Sequence, residues 1–320
     1  MIVTSVTVRV PAKINLQLAV GPLRPDGYHD LVTVFHAISL FDQVSVVPAA
    51  TDGVSVSGEG AGQVPEGNDN LALKAVAALR AEIARRGSGP RGLAGHGPAP
   101  GDSRGVAITI SKRIPVAAGL AGGSADAAAA LVACNELWGA GLSQRELCEV
   151  AAGVGSDVAF AVLGGTAVGR GRGEQLTPAL VAPVRYHWVL AFADGHLSTP
   201  AVYGTLDRLR GTRPVAEPRL SAELMSALRA GDPLRLGEAL DNDLQAAAIS
   251  MFPALRKTLA AGRELGALGA LVSGSGPTCV FLARSATHAT DLAVALSGAG
   301  VCRTVARAAG PASGAAVIER

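Results

Sequence analysis

Three stretches of the sequence carry residue types that phosphoryl transfer needs. The first is Pro115-Val116-Ala117-Ala118-Gly119-Leu120-Ala121-Gly122-Gly123-Ser124, a small-residue loop that runs straight into a predicted helix over Ala125–Leu137, with Ser124 placed to cap it. Gly122 and Gly123 have no Cβ, so backbone can come close to a ligand there. The helix behind them offers unpaired N–H groups and the positive end of its dipole. Such a junction receives a phosphate, although a turn packed tightly against a neighbour fits the same residues. The second stretch is Gly153-Val154-Gly155-Ser156-Asp157, a glycine-broken entry to a short helix. Asp157 fits a carboxylate beside an acceptor hydroxyl, and it equally fits a helix cap. The third is Lys13-Ile14-Asn15-Leu16-Gln17-Leu18, where strand alternation puts Lys13, Asn15 and Gln17 on one face. Lys13 fits a charge that orients the hydroxyl, or an exposed strand residue.

The elements that position these residues begin with alternation. Val6, Val8 and Val10 share one strand face, Pro11 interrupts, and the period resumes at Lys13. Turn signals at Gly21-Pro22 and Pro25-Asp26-Gly27 lead to Tyr28-His29, and strands are predicted over Thr33–Leu40, Gln43–Val47 and Val54–Ser57. Asn70 caps a helix that ends at Gly87, residues 88–105 read as a flexible insertion, and Val106–Ile110 delivers the chain to Lys112 and the loop. Ser143 and Glu146 have the spacing of a capping box. In the second half, strands at His187–Phe192, Leu268–Val272, Thr278–Ala283 and Val301–Ala306 alternate with helices. Among these lies a second glycine turn, Ser273-Gly274-Ser275-Gly276. Segregated strands and helices make both halves α+β, and the tail after Ala309 reads as loose.

Composition excludes several classes. The chain has 320 residues, enough for two cores, and its net charge of +2 comes without a dense basic tract, which argues against nucleic acid as a partner. Cys134, Cys148, Cys279 and Cys302 have neither zinc nor redox spacing and read as buried thiols of a reducing, cytoplasmic compartment. Val150–Gly169 is apolar, but its glycines and Asp157 make it soluble core rather than a membrane span. The amino-terminal residues alternate and lack the apolar core of a signal peptide. No P-loop, HExxH, GxSxG or protein-kinase motif is present.

PVAAGLAGGSADAAAAL resembles the phosphate-binding motif of the GHMP kinases, VSGSGPT at Val272–Thr278 their C-terminal glycine motif, and PAKINLQL at Pro11–Leu18 their N-terminal motif. With RPDGYHDLVTVF and GSDVAF added, the resemblance is closest to the branch that phosphorylates 4-diphosphocytidyl-2-C-methyl-D-erythritol in the non-mevalonate isoprenoid pathway. It implies a two-domain α+β fold. Residues 1–165 would form an ATP-binding domain resembling ribosomal protein S5 domain 2, residues 166–309 a ferredoxin-like substrate domain, and 310–320 a tail, with the active site between the domains. It implies Asp157 as base and Lys13 as its charged partner, with Asn15 beside the acceptor. Tyr28, His29 and Tyr203, the last reached through Thr199-Pro200, would hold the cytosine. ATP would meet Asn70, Lys112, the loop Pro115–Ser124 and Asp126, with Gly274, Ser275 and Gly276 near the phosphates. Asp126, near a helix start, is expected to face the ribose, the metal or a backbone partner rather than a phosphate. Ser124 matches a serine associated with magnesium in relatives, but Mg2+ is expected mainly on the nucleotide phosphates and no side chain is assigned to it. The implied partner is a small molecule, with no membrane, on a monomer or homodimer. Homoserine or mevalonate kinase, or a nucleotide-binding homologue without catalysis, are the alternatives. The insertion has no counterpart in the resemblance.

Overall fold

The computed structural model describes residues 5–87 and 105–320; most of the insertion expected at 88–105 lies outside them. Alternation carries the chain through one long strand, β1 (Val6–Leu23), which pairs antiparallel with β2 (His29–Ala49). Pro11 does not end the strand. It faces Phe41, and the register shifts between Pro11 and Ala12, a bulge that accommodates the missing N–H. β3 (Gly53–Gly58) and β4 (Gly105–Lys112) extend the sheet, with α1 (Leu71–Gly87) between them in sequence. A short 3-10 turn, Ala61–Gln63, precedes α1.

Then come α2 (Gly122–Leu137), α3 (Gln144–Val154) and α4 (Ser156–Leu163). α2 is enclosed by β1, β2, α1 and α4, and its residues Ala127 to Ala130 and Ala133 are wholly buried. Side chains that small let the helix axis approach the sheet closely. The capping box at Ser143 and Glu146 is formed on both sides. β5 (Thr166–Gly171) and β6 (Gln175–Pro178) also join the first sheet, β5 against β2. A boundary at residue 165 therefore cuts across that sheet.

The chain then alternates helices with the strands of the second sheet: β7 (Tyr186–Phe192), α5 (Thr199–Arg210), α6 (Ala222–Ala230), α7 (Pro233–Glu238), β8 (Asp241–Asn242), α8 (Gln245–Met251), α9 (Ala254–Glu264), β9 (Gly269–Val272), β10 (Cys279–Ala283), α10 (Ala286–Gly298) and β11 (Thr304–Gly310). β8 is the exception, pairing parallel with β1 at Gln17 and Leu18. The order β11-β7-β10-β9, all antiparallel, is that of the split β-α-β arrangement. Alternation along β7 divides its load: Trp188, Leu190 and Phe192 enter the core shared with the first sheet, Val189 and Ala191 the core under the helices. The tail is not loose. Residues Ala316–Glu319 form β12, which pairs with β1 from Thr7 to Arg9 and supplies partners for an otherwise open sheet edge. Among the described residues no helix is long and apolar enough to cross a membrane.

Candidate active site

A cavity of about 1070 Å3 opens between the two sheets. One wall is the glycine loop and the start of α2. Here the helix begins three residues earlier than the sequence suggests. Gly122 is its first residue, Ala121 is the N-cap at φ 59°, and no side chain caps it, so Ser124 lies inside the first turn. Gly122, Gly123 and Ser124 line the cavity, which directs the uncapped N–H end of α2 at whatever fills it. Ala117 (φ 51°) and Ala121 (φ 59°) are held in left-handed backbone, a strain of roughly 1–2 kcal/mol each.

The loop is fastened to the second glycine turn. Ser273 Oγ donates to the Gly119 carbonyl at 3.0 Å, and a Cβ on Gly119 (φ +76°) would stand 2.1 Å from the Ser273 carbonyl oxygen. Gly119→Ala is expected to part the two loops and lower stability by more than ~1 kcal/mol. Thermal melts check this, and an unchanged Tm would show that the contact is not needed.

Between the loops sits Lys13. Its Nζ donates to Asn15 Oδ1 at 2.7 Å and the Gly119 carbonyl at 3.3 Å, and lies 4.0 Å from Asp157 Oδ2. Asn15 Nδ2 in turn donates to Thr33 Oγ1 at 2.8 Å, and Thr33 Oγ1 to the Gln17 carbonyl at 2.7 Å, which fixes the amide so that its oxygen faces Lys13. Lys13 is 7% exposed, so the exposed-strand alternative fails. Burial pushes its ammonium below the ordinary lysine range, and the nearby Asp157 only partly offsets this. Asp157 is the second residue of α4, whose N-cap is Gly155 with no side-chain cap, so the helix-cap alternative fails too. Its half-buried carboxylate faces the cavity with Lys13 as its ion-pair partner.

The far end of the cavity is aromatic. His29 is buried, its Nε2 lies 2.9 Å from Asp207 Oδ1, and its ring centroid is 5.3 Å from that of half-buried Tyr203. Tyr28 is 53% exposed at the rim, with the Arg172 guanidinium 4.9 Å over its ring. Thr199 Oγ1 and Ser275 Oγ are 2.9 Å apart and join α5 to the second glycine turn.

Two family models match, described as the GHMP kinases N terminal domain over residues 70–165 and the GHMP kinases C terminal over 224–302. A protein of Nocardia farcinica named 4-diphosphocytidyl-2-C-methyl-D-erythritol kinase is 54% identical over 98% of this chain and 96% of its own. One of the same name from Thermobifida fusca is 53% identical over 98% of this chain and 99% of its own. The chain belongs to the GHMP kinases. A crystal structure of a 4-(cytidine 5'-diphospho)-2C-methyl-D-erythritol kinase superposes with a TM-score of 0.71 at 33% identity, covering 94% of this chain and 98% of that one. A homoserine kinase from Cytophaga hutchinsonii, at 18% identity and a TM-score of 0.72 over 99% of this chain and 98% of its own, shares the fold. This protein is therefore an ATP-dependent small-molecule kinase with the two-domain fold of its family.

The kinase cavity gathers most, not all, of the residues expected there. Lys13, Asn15, Tyr28, His29, Asp157, Thr199, Tyr203, Gly274 and Ser275 line it, with Ala117–Gly119 and Ala121–Ser124. Leu120 points into the core, and Gly276 packs on Val272 outside the lining. Pro115 and Val116 line a separate cavity of about 430 Å3, in which Ala118 also takes part. Asn70 is turned to structure: its Oδ1 accepts the Ala72 N–H at 2.8 Å and its Nδ2 donates to the Pro65 carbonyl. Lys112 and Asp126 are buried together away from the lining, with Asp126 one turn inside α2 and not at its start. Reasoning from sequence missed Asp207, although it lies one helical turn beyond Tyr203 on α5, the spacing that places two side chains on one face. It also missed Thr33, Asp42 and Arg172.

Proposed function

We propose that this kinase transfers the γ-phosphoryl group of ATP to a hydroxyl of 4-diphosphocytidyl-2-C-methyl-D-erythritol, the 2-hydroxyl by family resemblance, in the non-mevalonate route to isoprenoid precursors. The observation that carries the proposal is the order along one cavity: an anion-binding helix start, then Lys13 and Asp157, then a base-sized aromatic corner at Tyr28, His29 and Tyr203. A ligand with a cytosine at one end and an alcohol at the other spans that order. Mevalonate or homoserine gives the aromatic corner nothing to hold.

In this proposal the start of α2 and the second glycine turn bind the triphosphate. Asp157 takes the proton from the acceptor hydroxyl, and Lys13 holds the oxygen and offsets charge that develops during transfer. His29 Nε2 donates to Asp207 Oδ1, which holds the ring beside Tyr203 to meet the cytosine. Among the described residues no group of three or more acidic, histidine or cysteine side chains is arranged to hold a metal. Ser124, which lines the cavity in the first turn of α2, is the side chain that would face a Mg2+ arriving on ATP and keeping most of its phosphate and water ligands. Magnesium would supply neutralisation of phosphate charge.

A coupled ATP-to-ADP assay tests the proposal. Turnover should be stimulated by the diphosphocytidyl alcohol and not by mevalonate or homoserine, and equal stimulation by all three would sink it. Tyr203→Ala, which removes one stacking face, should raise KM for the cytidine substrate by about tenfold and leave KM for ATP unchanged.

A further inference from the structure

We propose that Asp42, Lys112 and Asp126 form a buried clamp that sets the shape of the ATP-phosphate loop, and that Asp126 is a positioning residue for the nucleotide and not a ligand of it. Lys112 closes β4 immediately before the loop, and Asp126 stands on α2 immediately after it. The single ammonium of Lys112 donates to Asp42 Oδ2 at 2.7 Å and to Asp126 Oδ2 at 2.6 Å. The other oxygen of Asp42 accepts the backbone N–H groups of Arg113 at 2.5 Å and Ile114 at 2.8 Å, the two residues that link β4 to the loop. Both ends of the loop are thereby tied to one charge. The clamp touches the site: a Cβ on Gly122, which lines the cavity, would stand 3.4 Å from Lys112 Nζ and 3.1 Å from Ile114 Cγ2.

The arrangement is expensive for the fold. Asp42, Lys112 and Asp126 are 0%, 3% and 2% exposed, one ammonium faces two carboxylates, and Asp126 Oδ1 is buried with no hydrogen-bond partner among the described residues. Burial moves the Asp126 carboxyl well above the usual carboxylate range, which marks the same cost. An apolar replacement of similar volume would hold β4 to α2 at least as well, so stability does not explain the charges. Geometry does. A lysine between two carboxylates, one of which also grips the loop backbone, fixes the N-terminal turn of α2 relative to β4, which apolar contacts leave free to slide. A shift of about 1 Å in that turn is enough to cost ~10²-fold in a positioned reaction.

The test uses the full chain and a non-hydrolysable ATP analogue with magnesium, titrated without an acceptor alcohol, so it stands apart from the identity of that alcohol. Asp126→Asn keeps an oxygen for Lys112 and is expected to bind the analogue within about threefold of the parent. Asp126→Leu removes that oxygen and is expected to weaken binding by about tenfold or more. Since Asp126→Leu leaves a buried ammonium with one partner fewer, the triple variant Asp42→Asn/Lys112→Met/Asp126→Leu is measured beside it; all three charged groups leave together, the amide at position 42 keeps an oxygen for the Arg113 and Ile114 N–H groups, and it should fold with a Tm near that of the parent. A well-folded triple variant with analogue binding weakened by about tenfold supports the clamp. A well-folded triple variant that binds like the parent overturns it, as does an Asp126→Asn protein that binds as weakly as Asp126→Leu.

Discussion

Asp157→Asn is expected to lower kcat by about 10²-fold or more while leaving the fold and nucleotide affinity close to the parent. The size of the effect follows from what the carboxylate does and does not touch. It caps no helix, because Gly155 holds the N-cap of α4 without a side-chain bond. Its ion pair with Lys13 is long, 4.0 Å, and its side chain is 35% exposed, so solvent screens it, and Lys13 keeps its bonds to Asn15 and the Gly119 carbonyl when the carboxylate is replaced. Asparagine fills the same volume but cannot take a proton at neutral pH. Repulsion between Asp157 and the nucleotide phosphates is also removed, so KM for ATP should hold or fall. Steady-state kinetics together with a thermal melt separate the two effects. An Asp157→Asn protein that retains near-full kcat would refute its role as base, and a large drop in Tm would return it to structure.

Short-range physics was legible in the sequence and long-range pairing was not. Alternation gave the faces of β1, the Ser143 capping box formed as its spacing requires, and the glycine-to-helix junction became the cavity wall. Where the sequence misled, a tertiary partner decided. Ser124 has the residue type of a cap, but left-handed backbone at Ala117 and Ala121 lets the helix begin at Gly122. Lys13 belongs to a polar strand face that would be solvated in isolation; the second glycine turn covers it, close enough that a Cβ on Gly274 would stand 3.3 Å from its Nζ. β12 is too short to show a period, and its strand state comes from the edge of β1. The partners of Lys112 and His29 lie 70 and 178 residues away in sequence, at Asp42 and Asp207, and no local pattern announces either. Lys112 and Asp126 were both placed near ATP by motif position. In the fold both stand behind the backbone that lines the cavity and not in it.

Lys13→Met is expected to reduce kcat by about 10²–10³-fold, the loss that follows removal of one preorganised donor to developing negative charge. The same substitution exposes how the protein tolerates a buried cation. Burial lowers the Lys13 pKa from 10.5, and the opposing attraction of Asp157 is the smaller effect. Catalysis that needs the ammonium must therefore lose activity on its alkaline side at a pH below 10.5. For stability the sign is opposite. Between the lowered folded pKa and 10.5 the unfolded chain holds the proton that the folded chain has released, so unfolding free energy rises with pH across that window. Below the window the full cost of burying the charge is present. In Lys13→Met that cost is gone at every pH, but Asn15 Oδ1 loses its 2.7 Å donor, a pH-independent penalty of ~1–3 kcal/mol. The two terms oppose each other at neutral pH, so the Tm of the variant there decides nothing. The slope decides. Denaturant unfolding of both proteins from neutral pH towards 10.5 should show the parent gaining stability relative to Lys13→Met as pH rises. A constant difference would mean that Lys13 keeps an ordinary lysine pKa in the folded protein, and the alkaline limit on turnover would then have to come from another group.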